Sequence, residues 1–430
     1  MRLLHGIGSR QDLPLPFEFV VAGASATLLI TFILLVFSWR EPRYDRPRYT
    51  AMPRLSAFVD HAATRWGLRI AVAAIWLLVG AALVGGVDRI DNPVFGFTYV
   101  LVWVGLVPVS LLLGQIWRAT NPIRTLLLLV GRRRCAQPAP SVLPGAIALF
   151  GFCFLELAQP DRATLPVIRA WAAIWLIWLF AGILARRPHW IASADPFEVY
   201  ASMLAQASPW TRSSSGVLAR TSPLRNLGTW RPPRFISAVA VVLLGGTAYD
   251  SFSNVLWWVQ FVQNSSLPRV VWDGLGLTVM VLVVAFTYYG AAAAMRLPQR
   301  SVRQQADLLA PGLVPIVTGY AIAHYATLLW LEGQRTVIQL SDPLGRGWNL
   351  FGTAELGVNT AIIGYSSLIA SLQVAAIVGG HVIGVLVSHD IAIRHLQDDG
   401  RRFGRQVTGQ LPMLAVMVFY TVSGLLLLFA

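Results

Sequence analysis

The sequence predicts an all-α fold, a polytopic transmembrane helix bundle of about ten helices in one domain spanning residues 1–430. Three observations carry that reading. The composition is 56% hydrophobic, only 13% of residues are charged at a mean hydropathy of +0.60, and ten apolar stretches approach spanning length. Soluble domains carry roughly a quarter charged residues, and a membrane helix needs about 20 mostly apolar ones.

The ten stretches cover 17–39, 67–87, 94–117, 142–159, 166–185, 235–258, 270–294, 312–331, 367–388 and 411–429, the fourth being the shortest. Every basic residue is arginine, 34 in all. The loops after the odd-numbered stretches, with Arg69, hold 26 arginines and nine acids, whereas the other side holds eight arginines and eleven acids. The two sides therefore carry +17 and −3, which sum to the net +14. Arginine excess marks cytoplasmic loops, so the skew predicts a plasma-membrane protein with both termini extracytoplasmic. The basic charge is spent on topology and contact with anionic lipid rather than on nucleic acid. Cys135, in an inner loop, and Cys153, in the fourth stretch, are too far apart to pair.

Long hydrophilic runs occupy 40–66, 186–234 and 332–366. The first, with Arg40, Arg43, Arg46, Arg48 and Arg54 among prolines and tyrosines, reads as a basic strap at the membrane surface. Asn121-Pro122 and Asp195-Pro196 each place a good N-cap before a proline suited to the first helical turn, predicting two short interfacial helices on the arginine-rich side. The second presents Phe197, Tyr200, Ala201 and Leu204 on one face and stops at Pro209-Trp210.

Ionisable side chains inside a bilayer cost several kcal/mol and ordinarily mark cavities or partners. At about 1.5 Å per residue, Asp250 falls about 12 Å, His324 about 10 Å and Gln373 about 9 Å below the extracytoplasmic end of their helices, with Glu156 and Asp273 nearer that surface. These five predict a polar cavity in the outer half of the bundle. His381 lies about 21 Å from the same end, and His389 and Asp390 mark the inner boundary. The depths disfavour haem clamped between His324 and His381, but a divalent metal on His324, Asp250 and His381 is compatible with the residue types. For each residue a helix-to-helix hydrogen bond is the plain alternative. The loop 341–353, with Asp342, Arg346 and Trp348, reads as an ordered cap that serves either as a lid or as a plug.

Several segments together resemble the fenitrothion hydrolase-like family of polytopic bacterial and archaeal membrane proteins. They are HGIGSRQDLPLP, NPIRTL, DPFEVY, AHY around His324, SDPLGRGWNLFGTA, QVAAIVGGHVIGVLVSHD and QLPMLAVMVFYT, and they span nearly the whole chain. The resemblance implies hydrolysis of a phosphotriester with an aryloxy leaving group and a related partner subunit. In that family a signal-like segment precedes the His-Gly-x-Gly motif, whereas four residues precede it here. With a start further upstream and cleavage before His5, the freed amine and imidazole would chelate a metal such as copper. Two readings stand. In an enzyme, Asp250 acts as general base or ligand, His324 as acid, base or ligand, and Asp342 with Arg346 orients substrate. In a transporter, permease or non-catalytic subunit, polar residues from Asp250 to His389 mark an ion path or a partner surface.

Overall fold

A computed structural model describes residues 9–131, 139–185, 187, 189–295, 297, 299–397 and 407–429. The His5 motif, Arg132 to Arg134, Cys135 and the arginines at 401, 402 and 405 lie outside the described residues. The described residues are predominantly helical. Apart from short helices at Pro53–Asp60 and Pro223–Thr229 in the connections, the helices in order are α1 (Phe17–Ser38), α2 (Ala62–Gly85), α3 (Pro93–Val102), α4 (Leu106–Leu113), α5 (Ile116–Thr120), α6 (Pro122–Leu129), α7 (Leu143–Leu157) and α8 (Leu165–Leu184). They continue as α9 (Trp190–Ala194), α10 (Pro196–Leu204), α11 (Ile236–Phe252), α12 (Leu256–Asn264), α13 (Arg269–Ala294), α14 (Val302–Leu309), α15 (Leu313–Gln339), α16 (Ser366–Gln397) and α17 (Leu411–Leu428).

Among the described residues, seven helices are long and apolar enough to cross a membrane, or up to nine if each bent pair counts once. The expected third, fourth and sixth stretches depart from straight spans. The third bends by 45° between α3 and α4, where Trp103 N–H and Gly105 N–H reach back five residues to Thr98 O and Val100 O, an under-wound π turn that redirects the axis. The fourth is only 15 residues long, about 22 Å. The sixth ends at Phe252, and α12 turns away by 81°.

Hydrogen bonds sort the connections onto two faces. On one, Thr50-Ala51 (β1), Trp210–Arg212 (β2) and Leu218–Arg220 (β3) form a sheet in the order β1-β3-β2, pairing Thr50 with Arg220 antiparallel. Residues 40–60 and 205–234 therefore share a face. Arg69 Nε to Ala119 O, and Arg394 Nη2 to Gly228 O, bring the other arginine-rich loops there. On the opposite face Arg10 Nε donates to Phe429 O, Leu165 N–H to Asp88, and Arg169 to Leu83 O and Val84 O. These hydrogen bonds join connections that the arginine count groups on the same side.

The two proline-headed helices form where expected: α6 keeps one face exposed, with Leu126 and Leu129 open, as an interfacial helix does, whereas α10 does not lie on the surface. α10 is buried almost all round, with Phe197 packed against Phe152, Trp171 and Trp175. Its N-terminus meets that of α6. Asn121 Nδ2 donates to Asp195 (2.6 Å), and Arg124 grips Glu198 through Nε (2.6 Å) and Nη2 (2.5 Å). Asn121 and Asp195 each also cap their own helix. A surface helix leaves its cap to water, whereas these caps satisfy each other, and that mutual satisfaction buries the two helix starts. The strap is likewise fastened: buried Asp390 accepts Trp39 Nε1 (3.1 Å), Arg43 N–H (2.7 Å) and Tyr44 N–H (3.3 Å).

At the centre, α15 and α16 approach backbone to backbone. A Cβ on Gly380 would stand 2.6 Å from Pro315 O, and one on Gly384 2.6 Å from Gly312 O. Only glycine permits this, the small-residue packing that replaces hydrophobic attraction between helices surrounded by lipid. The expected close packing at Gly379-Gly380 is therefore carried by Gly380, since Gly379 faces open space.

Two outcomes follow. Gly380→Leu forces α15 and α16 apart and costs roughly 1–3 kcal/mol, read as a lower melting temperature in detergent. Asp60, on the sheet face, is held below the ordinary carboxylate range first by hydrogen bonds from Arg212, with Ser56 and Arg65 adding to this and burial opposing it. Because the folded-state pKa is depressed, its stabilisation is complete above the unfolded value near ~4 and is lost as pH falls through the folded one. A melting series against pH should show an acid decline that Asp60→Asn removes together with the stability at neutral pH.

Candidate functional site

The site forms at a helix end. α11 (ISAVAVVLLGGTAYDSF) is apolar around nearly its full circumference and buried accordingly. It stops because Ser253 Oγ and Asn254 Nδ2 both donate to Asp250 O, at 2.9 and 2.8 Å, and consume the carbonyl that would have continued the ladder. Asp250 therefore occupies the last turn of α11 rather than a mid-helix position, and α12 crosses over that end with Trp258 against Tyr249 and Phe252.

Asp250 is 3% and His324 4% exposed, which makes an unpartnered charge prohibitive and explains how closely they are held. Asp250 Oδ2 lies 3.0 Å from His324 Nε2 and accepts Tyr325 Oη–H at 2.7 Å. On the other side of the ring, His324 Nδ1 faces Ser251 Oγ at 3.4 Å, and Ser251 Oγ meets Tyr320 Oη at 2.8 Å. Tyr320 also stacks on the imidazole, with centroids 5.9 Å apart at 17°. A carboxylate on Nε2 selects the tautomer carrying its proton there, leaving Nδ1 as an acceptor toward Ser251. Asp250, His324, Ser251 and Tyr320 thus make one chain of proton donors and acceptors.

Glu156 comes to the same height on a neighbouring helix. α7 and α11 leave the arginine-rich face side by side through the parallel bridge of Ser141 with Arg234. Gly246 lies against Cys153, a Cβ there standing 3.3 Å from Sγ. One turn further along each helix come Asp250 and buried Glu156.

The other expected site residues fall elsewhere. Asp273 accepts Tyr249 Oη–H (2.7 Å) and Arg269 Nε–H (2.8 Å), which binds α13 to α11. Gln373 donates to Ala323 O (2.9 Å), bracing α15 beside His324. His381, two turns beyond Gln373, turns Nδ1 to Ile377 O of its own helix at 2.9 Å. Among the described residues no three His, Cys, Asp or Glu side chains converge on a metal position, so the expected set of His324, Asp250 and His381 is not assembled. His389 bonds Gln410 (2.7 Å) and Trp39 O (3.0 Å) as part of the strap fastening.

The expected lid also lies elsewhere. Asp342 accepts the N–H groups of Arg346 (2.9 Å) and Gly347 (2.7 Å), closing a turn in which Gly345 and Gly347 adopt positive φ. Arg346 lies over the Trp348 ring. This turn seats Leu344 against Gly85 and borders a cavity of about 150 Å³ with Arg89, Asp91 and Asn92, over the α2–α3 corner. None of these contacts is to Asp250 or His324.

Sequence reasoning identified the Asp250 and His324 pair but missed Ser251, Tyr320 and Tyr325. Adjacency offered two signals, Ser251 beside Asp250 and Tyr325 beside His324, and Tyr320 sits one helical turn before His324. No family of known proteins, no curated protein and no solved structure matches the chain.

Asp250→Ala strands the His324 and Tyr325 donors in an apolar surround. The expected cost is about 1–3 kcal/mol, measured as a lower detergent melting temperature, with Asp250→Asn losing less because the amide keeps the shape and one acceptor.

Proposed function

We propose that the chain is a ten-span membrane protein whose arginine-rich face is cytoplasmic, and that Asp250 and His324 form an acid–base pair serving a hydrolytic reaction in its extracytoplasmic half. Ten spans follow when the short α7 and both bent pairs each count as one crossing, and the arginine skew sets the orientation.

One observation carries the chemistry: a buried carboxylate orients an imidazole through Nε2 while the opposite nitrogen, Nδ1, faces a hydroxyl. In that arrangement Nδ1 takes a proton from Ser251 Oγ, or from a water in its place, as the oxygen attacks an electrophilic centre. The resulting imidazolium is stabilised by Asp250 and returns the proton to the departing group. Tyr325 holds the second donor position on Asp250 Oδ2 and so keeps that carboxylate aligned. The resemblance to fenitrothion hydrolase-like proteins supports an organophosphorus ester as the electrophile, with an aryloxy leaving group.

A second reading, proton-coupled transport, is favoured by one further feature. Below Glu156 and Cys153, a cavity of about 200 Å³ reaches from the arginine-rich face to buried Glu198, with Arg118 and Arg231 in its wall. A polar opening thus approaches the Asp250 layer from that face.

The decisive comparison uses the purified chain in detergent and in liposomes. Hydrolysis of an aryl phosphotriester should fall by about 10²–10⁴ in His324→Ala and Asp250→Asn, with Ser251→Ala separating nucleophile from relay. Absence of hydrolysis together with proton-driven flux abolished by the same variants would replace the hydrolase by the transporter.

A further inference from the structure

A cavity on the arginine-rich face lies between the segment leading into α11 and the helix α14. It measures about 470 Å³ and is lined by Arg234, Arg300, Arg303, Gln304 and Asp307, with Pro232 and Leu308 as apolar wall. Asp307 is already saturated. Its carboxylate accepts Phe235 N–H (3.0 Å), Ser237 N–H (3.2 Å), Ser237 Oγ–H (2.6 Å) and Arg303 Nη1–H (2.8 Å), which anchors the start of α11. Among the described residues neither Arg234 nor Arg300 is paired with a carboxylate. Three arginines against one aspartate leave the lining at +2.

The cavity stands where polar loop gives way to apolar helix, since Ile236 opens α11 two residues after Arg234 and α13 ends six residues before Arg300. α13 also carries Val279, Leu282, Val283 and Phe286 exposed at helical spacing, a stripe fit for acyl chains. A cationic recess at that depth, beside an exposed apolar stripe, matches the shape and charge of a lipid headgroup with its tails.

We propose that this cavity binds the phosphate headgroup of a phospholipid carrying two negative charges, with Arg234 and Arg300 as its principal partners and Arg303 held in place by Asp307. The inference rests on membrane residence alone and is independent of the Asp250 chemistry.

The full chain in detergent is titrated with cardiolipin, phosphatidylglycerol, phosphatidylcholine and inorganic phosphate, followed by melting temperature and by native mass spectrometry. Cardiolipin should raise the melting temperature and remain bound, phosphatidylglycerol should do so more weakly, and phosphatidylcholine should do neither. Arg234→Gln with Arg300→Gln should weaken cardiolipin by about thirtyfold, while the lipid-free melting temperature stays unchanged. Arg46→Gln with Arg48→Gln, on the same face outside the cavity, should leave cardiolipin binding intact. Unchanged cardiolipin affinity in the first double variant overturns the proposal, as does equal binding of phosphatidylcholine. Stabilisation by inorganic phosphate to which lipid adds nothing assigns the cavity to a free anion instead. Each of these leaves the hydrolysis assay unaffected, so the two proposals fail separately.

Discussion

The architecture depends on one constraint: a backbone polar group freed at a helix break inside an apolar bundle must find a partner within the protein. The chain breaks its helices often, and at three of the breaks a buried carboxylate supplies that partner. Asp195, joined by Asn121, serves the two opposed helix starts. Asp307 takes the amides where Phe235 turns through positive φ into α11, and Asp390 takes those of the strap leaving α1. Each is an acid spent on holding backbone.

Asp250 differs in kind. The break beside it is capped by Ser253 and Asn254, so its carboxylate is released from that task and meets side chains that carry protons. The fold thereby separates acids with a backbone role from one whose partners are an imidazole and a phenol. Depth alone does not make that distinction, because Asp195, Asp273 and Asp390 are as deeply buried.

Much of the fold was legible before the structure. Uninterrupted apolar runs such as those of α1, α2 and α17 became straight helices, because nothing in them competes with the ladder. The third and sixth runs look the same by hydropathy, yet one unwinds into a π turn before Gly105 and the other is cut by Ser253-Asn254. Hydropathy sums apolar area and is blind to which carbonyl is consumed. The Asn121-Pro122 and Asp195-Pro196 starts were visible as caps, but an N-cap does not reveal whether water or another helix completes it. The glycines around 380 signalled close approach without naming Pro315 as the neighbour.

By itself, the sequence determined the class of architecture and the residues costly enough to bury that they required a partner: Asp250, His324, Gln373 and His381. Those follow from composition and spacing, which act through local free energy along one helix. Tertiary structure alone decided which partner each obtained. Oriented by the packing of α11 against α15, His324 found Asp250 and Ser251, while His381, on α16, turned to its own backbone. Such pairings depend on rotation of one helix against another, a quantity no single segment encodes.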